Sequence, residues 1–123
     1  MTYTGYNVED AILINKGAVD RGIFRTSYFS SYESREESTN VEGTTDSKFS
    51  NIEKTEVINT KKGYDYSLLD DHGIIKENTA INDKTILIGK VKANPEDPQM
   101  WIDDSTKPKK GQVGYVDKSF ITD

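Results

Sequence analysis

Two adjacent carboxylates, Glu9 and Asp10, stand where the chain passes from a glycine-led turn into an apolar run. Residues 5–10 read Gly-Tyr-Asn-Val-Glu-Asp, and residues 11–14 read Ala-Ile-Leu-Ile. Carboxylate oxygens are ligands that a hard cation such as Mg²⁺ prefers. Neighbouring residues of a regular strand point to opposite faces, so only one of the two would reach a metal unless the turn twists the pair. On spacing alone, a solvated acidic turn is the better interpretation, and a metal site is the alternative.

A second polar cluster, Asp70-Asp71-His72-Gly73, offers two carboxylates and the one imidazole of the chain. No third ligand at a convincing spacing accompanies it. The pattern is therefore more typical of a helical turn that ends at a glycine than of half a metal site.

Two further patterns could contact nucleic acid. Residues 107–110 read Lys-Pro-Lys-Lys, and the aromatic residues Phe24, Tyr28 and Tyr32 fall on one face of an alternating segment. Aromatic residues can stack on bases, and lysines can touch phosphates. A solvated loop and aromatic packing are nevertheless the commoner uses of these two patterns.

Composition excludes several kinds of chemistry. Among the 123 residues there is no cysteine and one histidine, which excludes a disulfide framework, thiolate chemistry and any site that needs two imidazoles. With 16 basic and 21 acidic residues the net charge is -5, which disfavours a free-standing, charge-driven nucleic-acid binder. No apolar run approaches about 18 residues and no signal-peptide pattern opens the chain, so a membrane-spanning or secreted protein is not expected.

The elements that would position these residues are short and mostly strands. The apolar run 11–14 predicts a buried strand, although its periodicity alone fits a helix too. Asn15 predicts the cap of a helical turn over residues 16–21, with Gly22 as its stop. Residues 24–32 alternate with period two and are rich in aromatic residues, which predicts a strand.

The rest of the chain predicts a mostly β fold, a compact barrel- or sandwich-like module with one or two short helices and long polar loops. Residues 35–51 are polar and predict a mobile loop or a loosely held hairpin. The further predicted elements are a short strand at 55–59, a helical turn at 66–69, strands at 74–81 and 85–91, a proline-containing loop at 94–110 and a bent strand at 111–121.

Several stretches in order give the chain a family resemblance. Residues 5–16 (Gly-Tyr-Asn-Val-Glu-Asp-Ala-Ile-Leu-Ile-Asn-Lys) are followed by residues 20–26 (Asp-Arg-Gly-Ile-Phe-Arg-Thr). Residues 69–75 (Leu-Asp-Asp-His-Gly-Ile-Ile) and 85–91 (Thr-Ile-Leu-Ile-Gly-Lys-Val) come next. Together they resemble the second-largest, β-type subunit of multisubunit DNA-directed RNA polymerase. The family's Thr-Pro after the last stretch is replaced here by Lys92-Ala93.

The resemblance implies a fold assignment and a site. Residues 1–23 would form one edge of the hybrid-binding double-psi β-barrel, which is incomplete in this chain. Residues 24–123 would form a flap- or wall-like β module beside the RNA–DNA hybrid and the RNA exit path. Glu9 and Asp10 would support the second catalytic Mg²⁺ in the complete enzyme, one reaching the metal and the other holding it in place. The isolated chain is expected to be inactive and to lack a tight Mg²⁺ site.

The implied partners are the other polymerase subunits, above all the largest, together with template DNA, the RNA transcript and initiation factors.

The family's downstream lysine motif is absent, so we expect a fragment whose reading frame continues past Asp123. The amino-acid sequences of residues 7–16 and 27–33 favour a large DNA virus as the source, and an archaeal or eukaryotic source stays open. The expected location is intracellular: the host cytoplasm or virion if viral, the nucleus if eukaryotic.

Two other classes of function stay open from the residues alone. A stand-alone β adaptor would bind a protein partner through a strand edge, and a reading frame that continues past Asp123 would exclude it. An independent metal-dependent hydrolase ranks last, because no base and no third ligand are visible in the sequence.

Overall fold

A computed structural model describes residues 2–38, 46–97 and 99–122. The chain divides into two units, Met1–Ser31 and Tyr32–Asp123, each of which is considered by itself. Within the described ranges, no helix has the length and apolar character needed to cross a membrane.

The first unit contains one helix, α1 (Lys16–Asp20), bounded by the two residues that the sequence predicts. The side-chain oxygen of Asn15 accepts a hydrogen bond from the backbone N–H of Ala18 at 2.9 Å, as an N-cap does. At the other end Gly22 has φ +108, and the N–H of Ile23 donates to the carbonyl of Ala18 at 3.0 Å. This is a Schellman-type stop, for which glycine is favoured because it tolerates positive φ. The predicted helical turn is confirmed.

The strands predicted at 11–14 and 24–32 do not form. Both segments are described, and neither has a strand partner in its unit. Their apolar side chains stay in solvent, with Ile12 80% and Phe29 82% exposed. Alternation and β-branched residues give a segment strand propensity, but a strand also needs a neighbour that accepts its ladder hydrogen bonds. Among the described residues, both segments have strand propensity but no strand pairs with them.

The described residues of the second unit form six short strands and one 3₁₀ turn, so the predicted mostly β class is confirmed. The strands are β1 (Ser47–Phe49), β2 (Val57–Ile58), β3 (Ala80–Ile81), β4 (Lys90–Ala93), β5 (Trp101–Asp103) and β6 (Gly114–Tyr115), and the 3₁₀ turn is Ile52–Lys54. A four-stranded sheet has the order β1-β4-β5-β2, with β2 parallel to β5 and the other pairs antiparallel. β3 and β6 form a separate antiparallel pair.

The core of the second unit lies around the apolar run of residues 85–91. Ile86 and Val91 are completely buried, and Thr85 and Leu87 are nearly so. Three consecutive buried residues mean that this run is covered on both faces, which explains its continuous rather than alternating hydrophobicity. The other buried apolar members of the core are Ile52, Tyr66, Leu69 and Ile75.

Several predicted elements of this unit differ from the structure. Residues 66–69 form a non-helical turn, and the runs 74–81 and 85–91 meet through a single bridge, Ile74 to Ile88, instead of a full hairpin. β5 lies inside the predicted loop 94–110, and only β6 forms within the predicted strand 111–121. β5 pairs with distant β2, and β6 with distant β3, and local patterns do not reveal such partners. The pair of β4 with β5 is local, but the proline-containing stretch between them predicts a loop.

The polar run 35–51 is held at its two described ends. Glu37 and Ser47 form an antiparallel bridge, as in the predicted loosely held hairpin. Its middle, residues 39–45, and Pro98 of the second loop lie outside the described residues.

Candidate functional site

The acidic pair Glu9–Asp10 occupies the middle of a tight turn. The N–H of Ala11 donates to the carbonyl of Val8 at 3.4 Å, which makes Glu9 and Asp10 the two central residues. Glu9 has φ +57, a left-handed conformation that costs about 1–2 kcal/mol for a residue with a Cβ atom. Both residues are exposed. The opposite-face rule for strand neighbours therefore does not apply to the pair as it stands in this structure.

The donor chemistry of the pair fits a supporting role towards Mg²⁺. Carboxylate oxygens are suitable ligands, and Mg²⁺ is usually held by one or two carboxylates together with substrate phosphates. Among the described residues, no group of three or more His, Asp or Glu side chains could enclose a metal. Glu9 and Asp10 could therefore complete the shell of an ion that arrives with another ligand, but they do not form a site by themselves.

The second cluster, residues 70–73, is a structural loop. One carboxylate oxygen of Asp70 accepts from the backbone N–H of His72 at 2.9 Å and of Ile74 at 3.0 Å. Asp71 forms an ion pair with Lys54, and the hydrogen bond from that lysine lowers the pKa of Asp71. Both carboxylates are thus engaged by the protein, in agreement with a structural interpretation of this motif.

Two glycines, one from each of the stretches 69–75 and 85–91, meet at the carbonyl of Ser50. The N–H of Gly89 donates to the carbonyl of Gly73 at 2.6 Å, and the N–H of Ser50 donates to the carbonyl of Gly89 at 3.0 Å. A Cβ atom on Gly73 would lie 2.5 Å from the Ser50 oxygen, and one on Gly89 would lie closer still. We call this contact the glycine junction. It requires both residues to lack a side chain.

Asn51 ties the glycine junction to the neighbouring loop. Its side-chain amide donates to the carbonyls of Leu69 at 3.2 Å and Asp70 at 3.0 Å, and its side-chain oxygen accepts from the N–H of Glu53 at 3.0 Å. Asn51 is 7% exposed, so these bonds replace water almost completely.

Asn51→Asp should destabilise the chain by about 2 kcal/mol, because a carboxylate would face two carbonyl oxygens that have lost their donor. Urea unfolding measures the loss. Asn82→Asp is the matched control. The side chain of exposed Asn82 is used only through its oxygen, which accepts from Lys84 N at 2.8 Å and from the Thr85 hydroxyl at 3.3 Å, a role that aspartate keeps. Equal losses in the two variants would contradict the assigned role of Asn51.

A buried polar network around Asp103 was not visible in the sequence. The hydroxyl of Tyr66 donates to Asp103 Oδ2 at 2.6 Å and accepts from the N–H of Lys61 at 2.8 Å. Lys61 Nζ lies 3.3 Å from the same carboxylate oxygen, and Ser105 N donates to Oδ1 at 2.9 Å. The only local signal is an aspartate at the end of the apolar pair 101–102.

The network shifts the pKa of both of its central groups. Burial raises the pKa of Asp103, but hydrogen bonds from Ser105 and Tyr66 outweigh burial and hold that pKa below its ordinary value. Burial, followed by the hydrogen bond to Asp103, raises the pKa of Tyr66 to about 12. Because these groups stabilise one another inside the unit, we assign them a structural role.

The three aromatic residues that the alternation of 24–32 places on one face lie in different surroundings. Phe24 and Tyr28 are 70% and 74% exposed within the first unit, whereas Tyr32 is partly buried and packs against the core of the second. They are not an aromatic platform built on a strand, because the strand predicted at 24–32 does not form.

The whole chain matches one protein family. The family described as RNA polymerase Rpb2, domain 6, matches residues 1–123, and the chain belongs to it. Similar proteins include DNA-directed RNA polymerase subunit Rpo2 of Sulfolobus acidocaldarius, with 33% identity over 100% of this chain. DNA-directed RNA polymerase II subunit RPB2 of Encephalitozoon cuniculi is 32% identical over 98% of it. The chain spans 11% of the length of each of these curated relatives.

Proposed function

We propose that this chain is the part of the second-largest subunit of a DNA-directed RNA polymerase that borders the RNA–DNA hybrid and the RNA exit path. The observation that carries the proposal is the family match over residues 1–123, together with relatives that are named as this subunit. In this assignment residues 1–23 belong to the hybrid-binding barrel and residues 24–123 to the flap or wall. Its partners are the other subunits, above all the largest, with template DNA, RNA and initiation factors.

Glu9 and Asp10 have a supporting role towards the second Mg²⁺ in this proposal. In nucleotidyl transfer, Mg²⁺ stabilises the charge on the attacking and leaving oxygens. The two carboxylates supply negative charge and oxygen donors beside the incoming triphosphate, one towards the ion and the other fixing its position. Their exposed position on a turn supports this role, because the donors are open to a ligand. The intracellular location follows from the activity, and a viral source stays a prediction.

Asp10→Ala in the assembled polymerase should slow elongation, most strongly at limiting Mg²⁺. We expect at least about a tenfold loss, or about 1.4 kcal/mol of activation free energy, partly restored by excess Mg²⁺. Assembly should survive, because an exposed turn residue contributes little to the core. The measurement is single-round elongation across a Mg²⁺ titration.

Asp20→Ala is the matched control for this experiment. Asp20 is an exposed carboxylate of the same unit, but it already pairs with Lys16 at 3.0 Å. Its loss should leave elongation unchanged. Normal elongation of Asp10→Ala at every Mg²⁺ concentration would remove Asp10 from the site and leave the pair as a solvated acidic turn.

The isolated chain should show no sub-millimolar Mg²⁺ binding and no nucleotidyl transfer. Two carboxylates without phosphates or further ligands cannot offset the cost of removing water from Mg²⁺. Isothermal titration of the chain with MgCl₂ checks the binding, and extension of a labelled primer checks the activity. A micromolar site that Glu9→Gln abolishes would contradict this expectation.

A further inference from the structure

Lysines gather around one aromatic ring in the second unit. Lys84 Nζ lies 4.9 Å and Lys107 Nζ 5.4 Å from the centre of the Tyr64 ring, and Lys107 Nζ is 3.4 Å from the Tyr64 hydroxyl oxygen. Lys109 and Lys110 follow Lys107 on the same loop, and all four lysines are exposed. We call Tyr64 and these four lysines the Tyr64 surface.

Backbone contacts fix the turn that carries Lys84. Its N–H donates to the side-chain oxygen of Asn82 at 2.8 Å, and its carbonyl accepts from the N–H of Asp65 at 2.8 Å. The second bond links this turn to the segment of Tyr64. The position of the Lys84 backbone beside the ring is thus set by the fold.

The loop of residues 107–110 is held in a comparable way. Pro108 is buried, so the lysines on both sides of it are turned to the surface of a fixed segment. The N–H of Lys109 donates to the Tyr32 hydroxyl at 3.1 Å, and the N–H of Gly111 donates to Asp83 Oδ2 at 3.1 Å. The second of these bonds joins the loop to the turn of Lys84.

The Tyr64 surface is positive although the chain as a whole is acidic. None of its four lysines forms an ion pair in the part of the chain that the structure describes, whereas Lys54, Lys90 and other lysines do. Asp65 follows Tyr64 and Asp83 precedes Lys84, whereas Asp104, three residues before Lys107, pairs with Lys90. Asp65 accepts from the N–H and hydroxyl of Ser67, and Asp83 accepts from Gly111. The four lysines therefore outnumber Asp65 and Asp83, which keep their charge but are already hydrogen-bonded within the protein.

We propose that the Tyr64 surface holds the phosphodiester backbone of single-stranded nucleic acid. The proposal rests on the proposed function, which brings nucleic acid to this chain. Lysine ammonium groups suit phosphate as mobile point charges, and the tyrosine hydroxyl can donate to a phosphate oxygen. Two cations already lie against the Tyr64 ring, so the ring orders the lysines and does not serve as a stacking surface for a base. Binding is therefore independent of base sequence.

The test measures binding of the 123-residue chain to a fluorescent oligouridine of about 12 nucleotides. The titration starts at about 20 mM salt, where the attraction between the lysines and the phosphates is least screened. The variant is Lys84→Gln with Lys107→Gln, two exposed positions whose loss leaves the core intact. We expect its affinity to fall at least about tenfold, and its salt dependence to flatten by about 1.4 in logarithmic slope, for two lost phosphate contacts.

Lys54→Gln with Lys92→Gln is the charge-matched control. Both lysines pair with carboxylates elsewhere, Lys54 with Asp71 and Lys92 with Asp104. This variant changes the net charge by the same amount and should keep its affinity within twofold. Equal losses in the two double variants would show that only net charge matters and would overturn the proposal, as would the absence of any binding by the unaltered chain at low salt.

A polyglutamate peptide of matched charge separates nucleic acid from an acidic protein segment. Displacement of oligouridine by the peptide at equal concentration would assign the Tyr64 surface to an acidic peptide and overturn the proposal. Failure of the Mg²⁺ role proposed for Asp10 would show itself separately, as normal elongation with Asp10→Ala in the assembled enzyme. That result would leave the lysine-dependent binding of the chain unchanged.

Discussion

Gly73→Ala should destabilise the second unit by about 4 kcal/mol or more, the largest effect that we expect from a single methyl group. Two costs add. Gly73 has φ +80, which an alanine adopts only with strain. Its new Cβ atom would also lie 2.5 Å from the carbonyl oxygen of Ser50, a residue whose own N–H donates to the carbonyl of Gly89. Relief of this contact would break the glycine junction, and strain at an unusual φ together with a steric clash is among the causes of the largest stability losses.

Gly63→Ala separates the cost of the positive φ from the cost of the steric clash. Gly63 also has φ +80, but nothing lies within 4 Å of its Cβ position, so only about 1–2 kcal/mol of conformational strain is expected. Urea unfolding followed by circular dichroism gives both values. A Gly73→Ala variant no less stable than Gly63→Ala would show that the glycine junction can relax.

A second pair of variants, Gly89→Ala and Gly114→Ala, tests the steric clash at positions without a positive φ. Gly89 does not have a positive φ, but its Cβ atom would clash with the Ser50 oxygen and would lie 2.9 Å from Leu69 Cδ1. Gly114 also lacks a positive φ and has nothing within 4 Å. Gly89→Ala should cost several kcal/mol, about as much as other severe overpacking. Gly114→Ala should cost little.

Loss of the Tyr66 hydroxyl should cost about 2–3 kcal/mol. Tyr66→Phe removes the donor to Asp103 and the acceptor for Lys61 N in one step, and both groups lie where water cannot fully replace the hydroxyl. Tyr115→Phe is the matched control, because Tyr115 is 78% exposed, and its loss should change stability by less than about 0.5 kcal/mol. Similar losses in the two variants would contradict the network.

The same network predicts how stability depends on pH. The pKa of Tyr66 is raised to about 12 in the folded state, so its contribution is complete below about pH 10 and is lost as the pH rises towards 12. A shift of this size corresponds to about 2–3 kcal/mol. The stability difference between the unaltered chain and Tyr66→Phe should therefore shrink from pH 10 to 12. A constant difference over this range would contradict the raised pKa.

At acidic pH the stability should change in the opposite direction, and it should fall as the pH falls. The lowered pKa of Asp103 means that its contribution is complete above about pH 4 and is lost as the pH falls through the folded-state value. Urea unfolding of the unaltered chain and of Asp103→Asn between pH 5 and 2 checks this expectation. The unaltered chain should lose more stability on acidification than the variant does.

The sequence predicts best what is decided locally. The cap at Asn15 and the stop at Gly22 follow from residues within one helical turn, and both are confirmed. The strand at 24–32 is wrong, because its alternation gave propensity without a partner. β5 was missed because its parallel pairing with β2 joins distant parts of the chain, and because the proline-containing stretch before it predicts a loop.

In the candidate site, too, the sequence predicts local features but not contacts between distant residues. The sequence places Glu9 and Asp10 beside a glycine-led turn, and the structure places them on a turn. The two glycines of the glycine junction belong to stretches that the resemblance singles out, but the Ser50 carbonyl that makes them necessary is not recognisable in any motif. The Asp103 network combines a tyrosine, a lysine and an aspartate that are far apart in sequence, so only the fold brings it together.

The sheet order β1-β4-β5-β2 also constrains when this chain can fold during its synthesis. Val57 of β2 pairs with Trp101 of β5, so β2 leaves the ribosome about 45 residues before its neighbour, or roughly 2–9 seconds at ordinary translation rates. The delay between the synthesis of β1 and that of β4 is about the same, since Ser47 pairs with Lys92. Both outer strands of the sheet are therefore made first and its two central strands last. During this interval the nascent chain exposes unpaired strand edges, and the sheet can close only once residue 103 has emerged.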